Sequence, residues 1–320
     1  MSPDVLFCAE TLGAPLEAVL ALADAGFDYL FNSVKWWDFE SPWLLEQYER
    51  FRHIAPSIGF PESHDTERLA TELLAAGFPE SEIEPRYRQA YALAAAFSTG
   101  VMMPMGFEFG WARRLEVVGG DDAPEEPIRF DLSAFIAEVN RSKKSVPALN
   151  EEGPQRLLTK GDDALVALLR QTDSGAERAF TLLNTDERAP RAIDCDALFA
   201  AAGLAHVQHR LVLSDVFPGA GGEEPAARLS VPPLGVRLLR ATRRPPRAVV
   251  TEPCRDAGRD PGHHPLWSPL ARIQVEDVYP ELDAGRYPVK RIVGDTVEVW
   301  VDLFRDGHDK IAASLLYAPE

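Results

Sequence analysis

Two short runs end in carboxylates where a strand-like pattern gives way to a helical one. One is Val5-Leu6-Phe7-Cys8-Ala9-Glu10, the other Gly59-Phe60-Pro61-Glu62-Ser63-His64-Asp65. In a β/α barrel the C-terminal ends of the strands face the active site, so residues there are placed for chemistry. A carboxyl at such an end, partly desolvated, can protonate a leaving glycosidic oxygen, while a second carboxyl across the sugar acts as nucleophile. Glu10 suits the acid role, and Asp65 and His64 suit sugar hydroxyls, one accepting and one donating. Each also has a plainer reading. Glu10 can be a carboxylate beside a helix start, and Asp65 or Thr66 can cap the helix that follows.

Further stations stand at neighbouring strand ends. Trp36, Trp37 and Trp43 follow the second strand-like run, and Glu108, Phe109 and Trp111 follow the fourth. Aromatic rings suit sugar faces as well as packing. Met102-Met103-Pro104-Met105 is soft and apolar, fit for a pocket wall or for core filling. Glu62, His64, Asp65 and His263-His264 match no zinc spacing, so no metal site is expected. A Walker-type glycine loop and a G-x-S-x-G elbow are both absent from the sequence, which disfavours a dinucleotide enzyme.

These residues need elements to hold them. Residues 5–144 alternate strand-like and helix-like patterns. Val5–Ala9, Phe27–Phe31, Ser57–Phe60 and Val101–Met105 read as strands, and helices are expected between them. Ser41-Pro42 reads as a helix start with Ser as cap, and a helix is expected from about Thr66 to Ala76. Arg86–Thr99 reads as an alanine-rich helix, and Asp131 or Ser133 as the cap of a last helix ending near Lys144. Strand–helix units in series imply parallel strands, and four of them are half of an eight-unit barrel.

From Arg156 onward short strands and frequent turns suggest an antiparallel sandwich, with strands at Leu157–Leu158, Ala164–Arg170, Arg178–Asn184, Val207–Val212, Arg228–Val231 and Val236–Arg240. Residues 243–269 read as a proline-rich linker. Strands resume from Ala271, with Asp295–Phe304 and Lys310–Tyr317 the clearest.

The chain has 320 residues, of which 46% are hydrophobic, enough for a packed core. A net charge of −17 argues against nucleic acid or an anionic membrane as partner. Three scattered cysteines fit a reducing, cytoplasmic setting. The first residues lack a secretory pattern, and no apolar run is long enough to span a bilayer.

Together these stations resemble the α-amylase family of glycoside hydrolases and transglycosylases. Phe7-Cys8-Ala9-Glu10 is similar to that family's fifth strand, which carries the acid–base Glu. Ser63-His64-Asp65-Thr66 is similar to the seventh-strand N-H-D motif with Ser in place of Asn, and Gly100–Glu108 to the eighth strand. The tail, through Asp283-Ala284-Gly285-Arg286-Tyr287-Pro288-Val289-Lys290 and residues 299–317, resembles the N-terminal domain of maltosyltransferases, which extend α-1,4-glucans from maltose 1-phosphate.

The resemblance implies an α/β fold in four parts. Residues 1–154 would be the C-terminal half of a (β/α)8 barrel, and 155–242 an antiparallel β domain. The linker at 243–269 would lead to the start of a second β-sandwich at 270–320. It implies Glu10 as acid–base, Asp65 as transition-state stabiliser, and His64, Glu108 and Trp36 as substrate-binding residues, with no cofactor. An α-1,4-glucan or maltooligosaccharide is the expected partner, maltose 1-phosphate a candidate donor, and a homodimer a candidate assembly of the intact protein.

The family's R-x-D strand, which carries the nucleophile, has no counterpart here and would precede Met1. Arg129-Phe130-Asp131 has that lettering but stands before a helix, where a cap is expected. The chain alone is therefore expected to be inactive, and four open parallel strands are expected to make it marginal or self-associating. A non-catalytic glucan-binding or scaffold module fused to a maltosyltransferase is the alternative.

Overall fold

In the computed structural model, residues 5–116, 126–159, 163–217, 227–243, 273–282, 287, 289–292, 294–305, 311 and 313 are described. Residues 1–244 form one compact unit and residues 245–320 another.

The first unit begins with β1 (Cys8–Ala9), α1 (Leu16–Leu20), β2 (Tyr29–Phe31), α2 (Trp43–Phe51) and β3 (Ser57–Gly59). It continues with α3 (Leu69–Ala75), α4 (Glu80–Phe97), β4 (Gly100–Val101) and α5 (Ser133–Lys144). The four strands lie in the order β1-β2-β3-β4, every pair parallel. This is the sheet that strand–helix units in series demand, because each helix must return the chain to the same end. Side chains alternate across it. Ala9 and Leu30 are buried against Val19 and Ala55 on the helical side, while Tyr29, Phe31 and Ile58 line an open cavity of about 530 Å³ that reaches Tyr91 and Asn140.

A second sheet is antiparallel throughout. Its strands are β5 (Gln155–Leu157), β6 (Leu165–Gln171), β7 (Arg178–Asn184), β9 (Leu211–Asp215) and β11 (Val236–Arg243), in the order β5-β6-β7-β11-β9. A ribbon of β8 (Arg191–Asp194) and β10 (Arg228–Val231) and the helix α6 (Cys195–Ala202) complete this region. One face of the five-stranded sheet packs on α6 through Leu165, Phe180, Phe199 and Leu239. Its other face packs on α4, with Val166, Leu168 and Leu183 against Leu93, Ala94 and Phe97.

Helix α4 is thus covered on several sides, and its alanines 92 and 94–96 are all nearly inaccessible. Its C-terminal carbonyls are answered by side chains. Arg170 Nη1 (2.5 Å) and Gln155 Nε2 (2.7 Å) donate to Phe97 O, and Lys143 Nζ donates to Ser98 O at 2.6 Å. The Arg170 guanidinium suits the negative end of a helix, and all three donors satisfy carbonyls that have no partner within it.

In the second unit, β12 (Ile273–Tyr279) and β13 (Trp300–Arg305) pair antiparallel with a bulge between Glu276 and Tyr279. The linker at 243–269, but for Arg243, and the strand expected at Lys310–Tyr317, but for two isolated residues, lie outside the described residues.

Several local expectations are corrected. Helix α2 starts at Trp43 with Pro42 at the cap position, and Ser41 instead donates through its amide to Asp38 Oδ1 at 2.8 Å. Residues 205–210 form a 3-10 helix, so the strand expected at Val207 begins only at Leu211. Helix α6 escaped the sequence reading, although Asp194 stands at its cap position and Gly203 ends it with φ +76°.

Candidate functional site

The candidate residues follow the C-terminal ends of the four parallel strands. Glu10 directly follows β1 and is exposed. The next residue, Thr11, donates through Oγ1 to Phe31 O at 3.0 Å, which ties the ends of β1 and β2. After β2, Asn32 Nδ2 donates to Ser98 Oγ at 2.7 Å and Asn32 Oδ1 accepts from the Val34 amide. That fixes the short 3-10 helix Val34–Trp36. Trp36, 45% exposed, meets the buried Phe60 edge to face at 5.6 Å between ring centres.

His64 and Asp65 follow β3 in an exposed turn, with His64 Nε2 3.4 Å from Asp65 Oδ2. Neither caps α3. That helix begins at Leu69, three residues later than expected from Thr66, and its first amide donates to Glu62 Oε2 at 2.7 Å. Glu62, weighed as a metal ligand, is wholly buried, and its Oε1 lies 2.8 Å from Arg68 Nε. His263 and His264 lie outside the described residues. Burial pushes the Glu62 carboxyl up, opposed by the Leu69 amide and then by the charges of Arg68 and Lys35. Burial and the adjacent Glu62 also push the Tyr87 phenol up.

After β4, Gly106 adopts φ +88°, and a Cβ there would sit 2.1 Å from the Trp111 ring. Only glycine permits that turn. Glu108, half-buried, turns back on the loop, its Oε2 accepting the Gly106 amide at 3.1 Å. Glu108 thus stabilises its own turn, while Trp36, His64, Asp65 and Glu10 keep exposed side chains at the strand ends. Asp131 of the R-x-D lettering accepts the Ser133 amide at 2.8 Å, the work of a helix-start residue.

Sequence reasoning passed over Arg68, Asn32, Lys143 and Arg170. For Arg68 no sequence signal was available, since the burial of Glu62 that calls for a cation shows only in the fold.

A parallel sheet with polar residues at its strand ends, followed by an antiparallel sheet, is a mixed α/β arrangement that the α-amylase type of fold also contains. Solved structures of that type match it. The α-amylase from Geobacillus thermoleovorans superposes with TM-score 0.52 at 15% identity, covering 76% of this chain and 54% of that one. An isomaltulose synthase from Erwinia rhapontici gives TM-score 0.53 at 10% identity, over 75% and 56%. That likeness is one of fold.

The sequence relatives are more particular. Residues 271–320 match the family model of α-1,4-glucan:maltose-1-phosphate maltosyltransferase, domain N/S. The maltosyltransferase of that name from Burkholderia pseudomallei is 36% identical over 98% of this chain. That of Chlorobaculum tepidum is 52% identical over 46 residues, 14% of this chain and 7% of its own length. The chain is thus similar along nearly its whole length to a maltosyltransferase, where its residues had suggested that resemblance for the tail alone, and it spans 28% of the length of that Burkholderia relative. No helix among the described residues is long and apolar enough to cross a membrane.

Proposed function

We propose that this chain forms the acid–base side of an α-1,4-glucan site in a glycosyl-transferring enzyme of the maltosyltransferase type. The observation that carries this reading is the common edge on which the parallel strands end in Glu10, Asn32, His64-Asp65 and the Glu108 turn. In it Glu10 protonates the leaving oxygen. Asp65 and His64 hold the sugar hydroxyls as charge develops at the anomeric carbon, and Trp36 offers a face for a glucose ring.

The four strands are read as half of a (β/α)8 barrel. The 530 Å³ cavity beside Val101 is then the berth for a neighbouring strand. Glu10 is exposed on this chain, so the walls that would desolvate it belong to the completing half. No R-x-D carboxylate stands at these strand ends, and a double displacement therefore needs a nucleophile from that half as well. Maltose 1-phosphate as donor, a homodimer and a cytoplasmic setting remain parts of the same proposal.

The alternative, a glucan-binding module without chemistry, draws support from Ser63 in the place of the Asn and from the exposure of Glu10. Both readings require glucan binding. Titrating the purified chain with maltoheptaose should quench tryptophan fluorescence, and Trp36→Ala should remove most of the signal. Absence of binding by the wild-type chain sinks both. Incorporation of Glu10→Gln into an active full-barrel enzyme separates them. The catalytic reading expects loss of at least about a hundredfold in kcat, and the module reading expects no change.

A further inference from the structure

Arg68 is fully buried, yet it sits between the two loops that carry His64-Asp65 and Glu108. Its Nη1 donates to Met105 O at 3.1 Å and its Nε to Trp111 O at 3.3 Å, both in the loop after β4. On the other side Nε lies 2.8 Å from Glu62 Oε1, in the loop after β3. Glu62 in turn accepts the first amide of α3 through Oε2 and is approached by Tyr87 Oη at 3.4 Å. Tyr87 Oη accepts the Ala70 amide at 2.9 Å. Two outer ties run in parallel. Thr71 Oγ1 donates to Ala112 O at 2.8 Å, and Arg114 Nη2 donates to Asp65 O at 3.1 Å.

Resting on the glucan-site reading above, we propose that Arg68, paired with Glu62, is a positioning residue that makes the His64-Asp65 loop and the Met105–Trp111 loop one rigid frame for the sugar. Exposed loops sit at the low end of local stability, and two of them open together only where contacts couple them. A planar guanidinium with donors spread over a fork can hold acceptors from two segments in one geometry, which a lysine ammonium cannot reproduce. His64 and Asp65 are exposed, so their placement depends on the turn beneath them, and that turn is anchored at Glu62 and Arg68. Burying a charged pair costs desolvation that hydrophobic packing of similar volume would avoid, so the pair calls for a return other than stability, and fixing the geometry of two loops is the one proposed here.

The test compares Arg68→Met, Arg68→Lys and Thr71→Val with the wild-type chain. Amide exchange by mass spectrometry follows residues 63–67 and 105–112, with 165–184 of the antiparallel sheet as internal reference. The His64 ring correlation is followed by NMR, and maltoheptaose binding by fluorescence. Arg68→Met should raise exchange in both loops together by about tenfold, leave the reference unchanged and shift the His64 ring signal. It should also weaken maltoheptaose binding about tenfold, with Arg68→Lys recovering part of each effect and Thr71→Val causing little of any. Faster exchange in one loop only, a rise across the reference sheet as well, or an unmoved His64 signal overturns the proposal. If Arg68→Met does not fold, Arg68→Lys carries the test, and unchanged exchange in both its loops is the overturning result. If the loops and His64 respond together but the wild-type chain binds no maltoheptaose, the frame stands and the glucan reading falls.

Discussion

Lys143 lies 6% exposed beneath the end of α4, its Nζ donating to Ser98 O at 2.6 Å and to Leu149 O at 2.5 Å. Burial first, and then the neighbouring Arg170, pull its amine from 10.5 down to about 6, with Glu152 opposing. The folded pKa is thus depressed below the unfolded one. Between those two values the unfolded chain holds a proton that the folded chain has released, so stability rises with pH across that window. The slope approaches about 1.4 kcal/mol per pH unit, and integrating from pH 6 to pH 8 gives a gain of about 2.3 kcal/mol from this one group. Replacing Lys143 by Met removes the titration but also leaves two buried carbonyls without a donor, a loss of about 1–3 kcal/mol at any pH. The informative quantity is therefore the change in the wild-type-to-variant gap with pH, which cancels every other titrating group. Urea unfolding of both proteins at several pH values, followed by tryptophan fluorescence, measures it. The gap should widen in favour of wild type by about 2 kcal/mol between pH 6 and pH 8. Parallel curves, within about 0.5 kcal/mol, would show that the ammonium keeps its proton when folded and would refute the reasoning.

Other consequences can be checked with less work. Asn184 Nδ2 donates to Ala189 O, Val231 O and Pro232 O, so Asn184→Ala should cost about 2–4 kcal/mol in urea unfolding and loosen the turn between β7 and β8. Gly106→Ala forces a side chain into left-handed backbone and against Trp111. It should lower the melting temperature and speed exchange at residues 105–111, at a cost of roughly 1–3 kcal/mol. The open sheet beside β4, with Met105 exposed at its end, should make the chain self-associate, and light scattering should show a mass that rises with concentration. A strictly monomeric chain at high concentration would argue that the inner face is adequately covered.

How much of this was legible in the sequence depends on which physical scale sets each feature. The β7 and β10 limits at Arg178–Asn184 and Arg228–Val231 match the sequence reading because turn formers bracket apolar runs of strand length. The parallel order of the first four strands followed from connectivity alone, since helical crossovers leave few alternatives. The strand ends also named Glu10, His64 and Asp65, because a strand-to-helix transition is a local event. Helix α6 was missed for the opposite reason. Cys195–Ala202 is almost uniformly apolar, so no period distinguishes it from a strand, and only its packing on Phe180 and Leu239 decides.

The buried titratable side chains were hidden by a different limit. Arg170 reaches α4 carbonyls more than seventy residues away in sequence, and Lys143 closes on Ser98 across 45. No local pattern announces such partners, because an isolated Lys or Arg reads as a surface residue until the fold removes its water. The same blindness explains Glu62. Its neighbours His64 and Asp65 look more reactive in the sequence, and both are exposed, whereas the wholly buried carboxylate is the one that must find a partner. The chemistry that can be read from a sequence at a strand end is the part that faces solvent. One layer beneath lie Glu62, Arg68 and Tyr87, paired with one another and out of reach of any local pattern.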